Sequence, residues 1–148
     1  MFTGIISAIG LICAIERKGG DCRLTIKTGK LPLSDALLGD SIAVNGVCLT
    51  AIELGKQQFS ADVSNETLSR TILKNAVIGT PVNLELALTP TTRMGGHIVS
   101  GHVDGIGKLV EQKPDARSWR LSFKAPDDLA KYIAEKGSIT INGISLTV

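Results

Sequence analysis

"VNGVCLT", Val44 to Thr50, and "INGISLT", Ile141 to Thr147, are nearly the same seven residues written twice, the second copy ending one residue before the sequence does. Asn-Gly is the strongest short hairpin signal, because both turn positions must accept a positive φ. "DSIAVNGVCLTAIEL" therefore reads as two strands around Asn45-Gly46. Sliding the sequence against itself by 97 residues extends the match without a gap. Gly4 meets Gly101, Ile9-Gly10 meets Ile106-Gly107, and Arg23-Leu24 meets Arg120-Leu121. Lys27 meets Lys124, Ser41-Ile42 meets Ser138-Ile139, and Leu49-Thr50 meets Leu146-Thr147. Apolar positions between them match as well, Ile6 with Val103 and Ile12 with Leu109 among them.

A period of 97 residues is too long for a solenoid and is the length of a small domain. The expected organisation is one full domain over residues 1–90, a junction at 91–97 and the first half of a second domain over 98–148. The junction lies in "LTPTTRMGGH", whose proline and paired glycines suit a linker. The second copy has nothing matching residues 52–90, so its strands are expected to have missing neighbours, as in an incomplete chain.

Hydrophobic residues make up 43% of the chain and charged residues 20%, which suits a packed core and argues against disorder. A net charge of +2 with no block of lysine and arginine gives no nucleic-acid stripe. Three cysteines, Cys13, Cys22 and Cys48, cannot all pair and form no CxxC, so a reducing compartment is the simpler reading. In "MFTGIISAIGLICAIERKGG" no basic residue precedes the apolar stretch, and Arg17 arrives before membrane-spanning length. It reads as the first strand of a soluble, cytoplasmic domain without a membrane segment.

"DCRLTIKT" alternates with Cys22, Leu24 and Ile26 on one face, the pattern of a half-buried strand, and "RSWRLSFKA" repeats it. "QFSADVS" and "TPVNLELALT" are further strands, the latter with Val82, Leu84, Leu86 and Leu88 on one side. Helices are few. "PDDLAKYIAEKG" starts at Pro126, ends at Gly137 and is expected to pack Leu129 and Ile133 inward. "LPLSDALLGD" is a weaker equivalent. "SNETLSRTILKN" has Ser64 or Asn65 as cap and Leu68 and Ile72 on a shared face. The expected fold is all-β: small, six-stranded, Greek-key-like antiparallel barrels with short helices, closure hiding the sheet edges.

No histidine or cysteine spacing matches a metal site, and no nucleophile elbow, Walker A or dinucleotide fingerprint occurs. "GGHIVSGHVDG" reads either as a junction turn with surface histidines or as a ligand lip with His102 as an acid–base group. Cys48 follows the hairpin turn and reads first as an inert buried thiol. Ser145 holds its place in the second copy, so the pair alternatively supplies polar ligand contacts. Thr50 and Thr147 lie on the same strand faces. Glu66 reads as a capping carboxylate or as an acceptor for a polyol or amide, and Asp62 alternates with Ser60.

The motifs "MFTGI", "NGVCLT", "ETLSRT", "MGGHIVSGHVDG" and "KYIAEKGSITINGISLTV" resemble those of the alpha-type riboflavin synthases, and they span the whole chain. The resemblance implies two similar barrels, tandem and duplicated, with the second incomplete in this chain. It implies dismutation of two molecules of 6,7-dimethyl-8-ribityllumazine. One donates a four-carbon unit to the other, giving riboflavin and 5-amino-6-(D-ribitylamino)uracil. No metal or redox cofactor takes part. It also implies a homotrimer with sites between the N-terminal barrel of one subunit and the C-terminal barrel of its neighbour, and lumazine synthase as a candidate partner. Two like substrates suit two like pockets, with orientation supplying much of the rate. The rest is proton removal from the 7-methyl group and stabilisation of the resulting anion.

Carried over residue by residue, the resemblance puts the N-barrel pocket on Cys48, Leu49 and Thr50 and on Asp62, Val63, Ser64, Asn65, Glu66 and Thr67. Gly101, His102 and Val103 form its rim. Gly4, Ile5 and Ile6 serve the C-barrel pocket, with Phe2 near it, and Lys136, Ser145, Leu146 and Thr147 lie on that barrel. His102 and Cys48 are the candidates for proton transfer or polar catalysis, with Ser41 and Thr67 in support. Asn142 departs from members with aspartate there, and an amide cannot act as a carboxylate base. The competing class is a non-catalytic relative that holds a lumazine or flavin as a fluorophore. "GGHIVSGH" and Cys48 favour the enzyme.

Overall fold

Strands β1 (Ala8–Lys18) and β2 (Asp21–Lys27) pair antiparallel in the computed structural model, which describes residues 1–148. The alternation in β2 sends Cys22, Leu24 and Ile26 into the core and leaves Lys27 outside. The Asn45-Gly46 turn joins β3 (Ser41–Val44) to β4 (Val47–Thr50), with Asn45 at φ +48° and Gly46 at φ +80°. Strands β5 (Glu53–Leu54), β6 (Gln58–Val63) and β7 (Pro81–Leu86) complete a seven-stranded sheet in the order β4-β3-β7-β1-β2-β6-β5. Every pairing is antiparallel. The sheet curls into a half-barrel around Ile12, Leu24, Ile26, Ile42, Val44, Phe59, Val82 and Leu84. The expected all-β barrel is thus present, with the two-residue β5 added to the anticipated six strands.

The second copy repeats the first in backbone detail. Strands β10 (Ser138–Ile141) and β11 (Ile144–Thr147) lie 97 residues after β3 and β4. Strands β8 (Lys108–Asp115) and β9 (Ser118–Lys124) pair as β1 and β2 do. Even the bulge recurs: the register slips between Ile12 and Ala14, and again between Leu109 and Glu111. A bulge leaves one residue unpaired and bends the strand, so the two hairpins bend at the same place. What differs is their company. In the first copy β7 stands between β1 and β3 and joins the hairpins. In the second, β8–β9 and β10–β11 are separate two-stranded sheets. Burial follows. Ile12, Leu24 and Ile26 are at most 1% exposed, whereas their counterparts Leu109, Leu121 and Phe123 are 44%, 40% and 37% exposed.

The helices depart from expectation. "LPLSDALLGD" forms turns instead of a helix, with Asp40 Oδ2 accepting the Leu37 N–H at 2.9 Å. Helix α1 (Asn65–Arg70) is capped by Ser64, but Thr71 is extended and ends it. A short 3-10 turn from Ile72 to Asn75 follows, so Leu73 goes inward and Ile72 stays outside. Helix α2 is only Asp127–Ala130, preceded by Pro126. Ile133 lies beyond it and is exposed, because the second copy offers no closed sheet to pack on. No helix is long and apolar enough to cross a membrane.

Matched truncations in the two copies measure this asymmetry. Leu24→Ala is expected to cost about 2–5 kcal/mol of unfolding free energy, and Leu121→Ala less than about 1 kcal/mol. Urea unfolding followed by circular dichroism reads both. Equal losses would contradict the difference in burial.

Candidate functional site

The two copies complete each other through their opening segments. The Cys48 N–H donates to the Gly101 carbonyl at 2.9 Å, and the Ser145 N–H donates to the Gly4 carbonyl at 2.8 Å. Gly101 is the repeat counterpart of Gly4, and Ser145 that of Cys48, so one contact is the other with the copies exchanged. Between them Phe2 and Val99, also counterparts, exchange both backbone hydrogen bonds, at 2.8 and 3.0 Å. The arrangement is a local two-fold. Glycine is required at both clasps. Gly4 and Gly101 have φ of +76° and +81°, and a Cβ on them would lie 2.5 Å and 2.7 Å from the Cβ of Ser145 and Cys48.

Against the first clasp lies a cleft of about 420 Å³. Strand β4 supplies Val47 and Cys48; α1 and its exit supply Glu66, Thr67, Arg70 and Thr71; the incoming segment supplies Gly101, His102, Val103 and Asp104. Cys48 is on the strand face opposite the buried Val47 and Leu49. Ser64 fixes the start of α1 by accepting the Thr67 N–H at 3.2 Å. Arg70 Nε donates to Glu66 Oε1 at 2.9 Å, one helical turn apart. The Ser100 hydroxyl accepts the His102 N–H at 3.1 Å and shapes the turn that presents the imidazole. The cleft therefore gathers a thiol, an imidazole, two hydroxyls, two carboxylates and a guanidinium on a partly apolar wall.

Cys48, Glu66, Thr67, Gly101, His102 and Val103, scattered in sequence, meet in this cleft. Other sequence candidates lie elsewhere. Leu49 and Val63 are in the core. Arg23 clamps Asp62 through two hydrogen bonds of 2.8 and 3.1 Å. That guanidinium holds the Asp62 carboxyl below its ordinary range. Ser41 and Thr50 pair across the β3–β4 hairpin, and the Asn65 N–H donates to Asp21 Oδ1. Lys136 is in a left-handed turn whose N–H donates to the Val148 carbonyl. Leu146 and Thr147 belong to β11. Burial pushes the Cys22 thiol up, with Arg17 opposing, so this cysteine stays a protonated core group.

A second cluster forms at the other clasp. Gly4 lies beside Ser145, Ile5 lies beside Gly95 and Gly96, and Ile6 lies beside Gly143 of the second hairpin turn. Ser145 Oγ is hydrogen-bonded to His97 Nδ1. The sequence reading placed His97 only in a junction; its partner is 48 residues away and no spacing rule links them. Arg70 and Asp104 were also missed in the cleft. Arg70 had a signal, because it stands four residues after Glu66 on a helix.

A lumazine binding domain model matches residues 3–87 and 100–148. The chain belongs to the lumazine-binding domain family. The two matched segments start 97 residues apart, at the repeat offset. The chain is 49% identical over 148 residues to riboflavin synthase of Photobacterium phosphoreum, covering all of this chain and 68% of that protein. It is 47% identical to riboflavin synthase of Bacillus subtilis, with the same coverage. Among solved structures, LumP complexed with riboflavin superposes with a TM-score of 0.89 at 25% identity, covering 99% of this chain and 79% of that one. LumP complexed with 6,7-dimethyl-8-(1'-D-ribityl) lumazine gives 0.85. The family's domain unit thus coincides with the internal repeat.

Thiol reactivity separates the cleft cysteine from the core cysteine. In a Cys13→Ser background, Cys48 is expected to react with a disulfide reagent in the folded protein, and Cys22 only after unfolding. Two thiols reacting at one rate in the folded state would contradict this placement.

Proposed function

We propose that the cleft beside Cys48 binds a lumazine- or flavin-type ligand carrying a ribityl chain, and that the chain acts as a riboflavin synthase. The observation that carries the binding reading is the clasp. Each copy's opening segment makes the same backbone contact with the other copy's hairpin, which supports two related sites for two related molecules. Identities near one half to proteins named riboflavin synthase support the catalytic reading. Likeness to LumP, solved with riboflavin and with a lumazine, supports binding by itself.

In the catalytic reading one lumazine occupies the first-copy cleft. A second occupies the Ser145 side, in a homotrimer that brings the two pockets of neighbouring subunits together. Glu66 and Thr67 meet the ribityl hydroxyls. His102 and Cys48 move a proton or stabilise negative charge at the ring, close to the Gly101 backbone. Ser145, polarised by His97, is the hydroxyl available to the second molecule. Holding both rings in fixed orientation turns a bimolecular step into a local one. The four-carbon unit then passes from one ring to the other, and the donor leaves as the diaminouracil.

Incubating the purified chain with 6,7-dimethyl-8-ribityllumazine tests both levels. Riboflavin and 5-amino-6-(D-ribitylamino)uracil in equal yield are expected, and His102→Ala should lower turnover about 100-fold or more. Fluorescence quenching without product would leave the binding reading standing and remove the enzyme. Neither product nor quenching would remove both. Unchanged turnover in His102→Ala would end that residue's proposed role.

A further inference from the structure

Glu85 lies on β7, on the face opposite Val82, Leu84 and Leu86, and reads in the sequence as a solvent-facing acid. It is only 5% exposed. A carboxylate is seldom buried without donors around it, and these come from the start of the chain. Glu85 Oε1 accepts the Thr3 N–H at 2.7 Å and the Thr3 hydroxyl at 2.5 Å. Oε2 accepts the Gly4 N–H at 3.0 Å.

The same two residues act again with their carbonyls. The Thr3 carbonyl accepts the His97 N–H at 2.9 Å, and the Gly4 carbonyl accepts the Ser145 N–H at 2.8 Å. His97 and Ser145 are the residues whose side chains are joined through Nδ1 and Oγ. The approach is close: a Cβ on Gly96 would lie 2.1 Å from the Thr3 carbonyl oxygen. Two positions before Glu85 on the same strand face, Asn83 Nδ2 donates to the Asn142 carbonyl at 3.0 Å. One face of β7 thus reaches the second copy in two ways, directly at its hairpin turn through Asn83 and indirectly through Glu85, which holds the first copy's own opening strap against Ser145.

We infer that Glu85 is the positioning residue of the His97–Ser145 pair, acting through the backbone of Thr3 and Gly4. Its carboxylate fixes the strap from the donor side, and the strap's carbonyls fix the imidazole and the hydroxyl from the acceptor side. Only the use of the pair toward a ligand rests on the proposed function; the positioning does not. Glutamine cannot replace the carboxylate, because its amide NH2 would face at least one of the three donors.

The chain has two histidines, His97 and His102, so imidazole NMR signals report one on each clasp. Glu85→Gln is expected to move the His97 ring signals toward those it shows in Ser145→Ala, while the His102 signals stay in place. Thr3→Val removes the hydroxyl's bond to Glu85 and its acceptance of the Ile5 N–H, leaves both backbone N–H bonds to the carboxylate, and should move His97 the same way by less. A loss of general stability would not single out one ring. Folded Glu85→Gln with His97 signals matching the unsubstituted chain would overturn the inference. If Glu85→Gln does not fold, an unmoved His97 in Thr3→Val would overturn it equally. A lumazine titration alongside separates the two questions, since the ring signals need no ligand.

Discussion

A backbone carbonyl on a left-handed glycine, offered to the strand that follows an Asn-Gly turn, is the contact on which the site depends. It occurs twice, Gly101 to Cys48 and Gly4 to Ser145. Without it, the hairpin that carries Cys48 has no rim and the segment that carries His102 has no seat. The constraint is steric as well as polar. The hairpin turns themselves meet, and a Cβ on Gly46 would lie 2.7 Å from the Gly143 nitrogen. Close backbone approach at three points on one local axis leaves little freedom in how the copies sit. The glycines at those points serve the same end, proximity without side chains.

Around that axis the two copies spend their apolar surface differently. Burying a leucine or isoleucine side chain fully yields roughly 1.5–3 kcal/mol. The first copy collects this for a whole ring of core residues because β7 bridges its hairpins and β6 lies along β2. The second copy has the same inward-facing residues on the same register, but they stay about two-fifths exposed, as at Leu109 and Leu121. Its order comes from short-range hairpin pairing and from the contacts it makes with the first copy. Glu85 and Asn83 project from β7, an interior strand of the better-packed half. A rigid strand is thus the anchor for the less-packed one.

Much of this was legible in the sequence because it rests on local rules. Period-two alternation marked β2, Asn-Gly marked both turns, and a single offset marked the duplication with the register and bulge it carries. Helix lengths were less legible. Thr71 interrupts a pattern that otherwise continues, and α2 stops where the second copy has only separate two-stranded sheets to pack on. The cleft was legible in part. Cys48, Glu66 and His102 each read singly as candidate ligand groups, and resemblance added Thr67 and put them in one pocket, since nothing in their spacing says that they converge. Asp62 was named with them but is held by Arg23. Glu85 was invisible for a physical reason: a single acid in an alternating strand ordinarily faces water. The group that buries it arrives from the other end of the copy. The His97–Ser145 contact spans the two copies and was hidden in the same way.

Duplication keeps the backbone and frees the side chains. At each clasp the accepting glycine carbonyl and the donating strand N–H are the same, yet the residue after the glycine is His102 at one and Ile5 at the other. The hydrogen-bonding side chain is a thiol at Cys48 and a hydroxyl at Ser145. An imidazole lies on the rim of the cleft beside Cys48, whereas the Ser145 clasp receives one from the junction, through His97. Under the proposed function, two sites built on one backbone geometry with unequal polar groups would hold like molecules in like poses while treating them differently. In the proposed dismutation, where one molecule gives and an identical one receives, that inequality would set which does which. Identical pockets would give two identical substrates no chemical reason to take opposite parts.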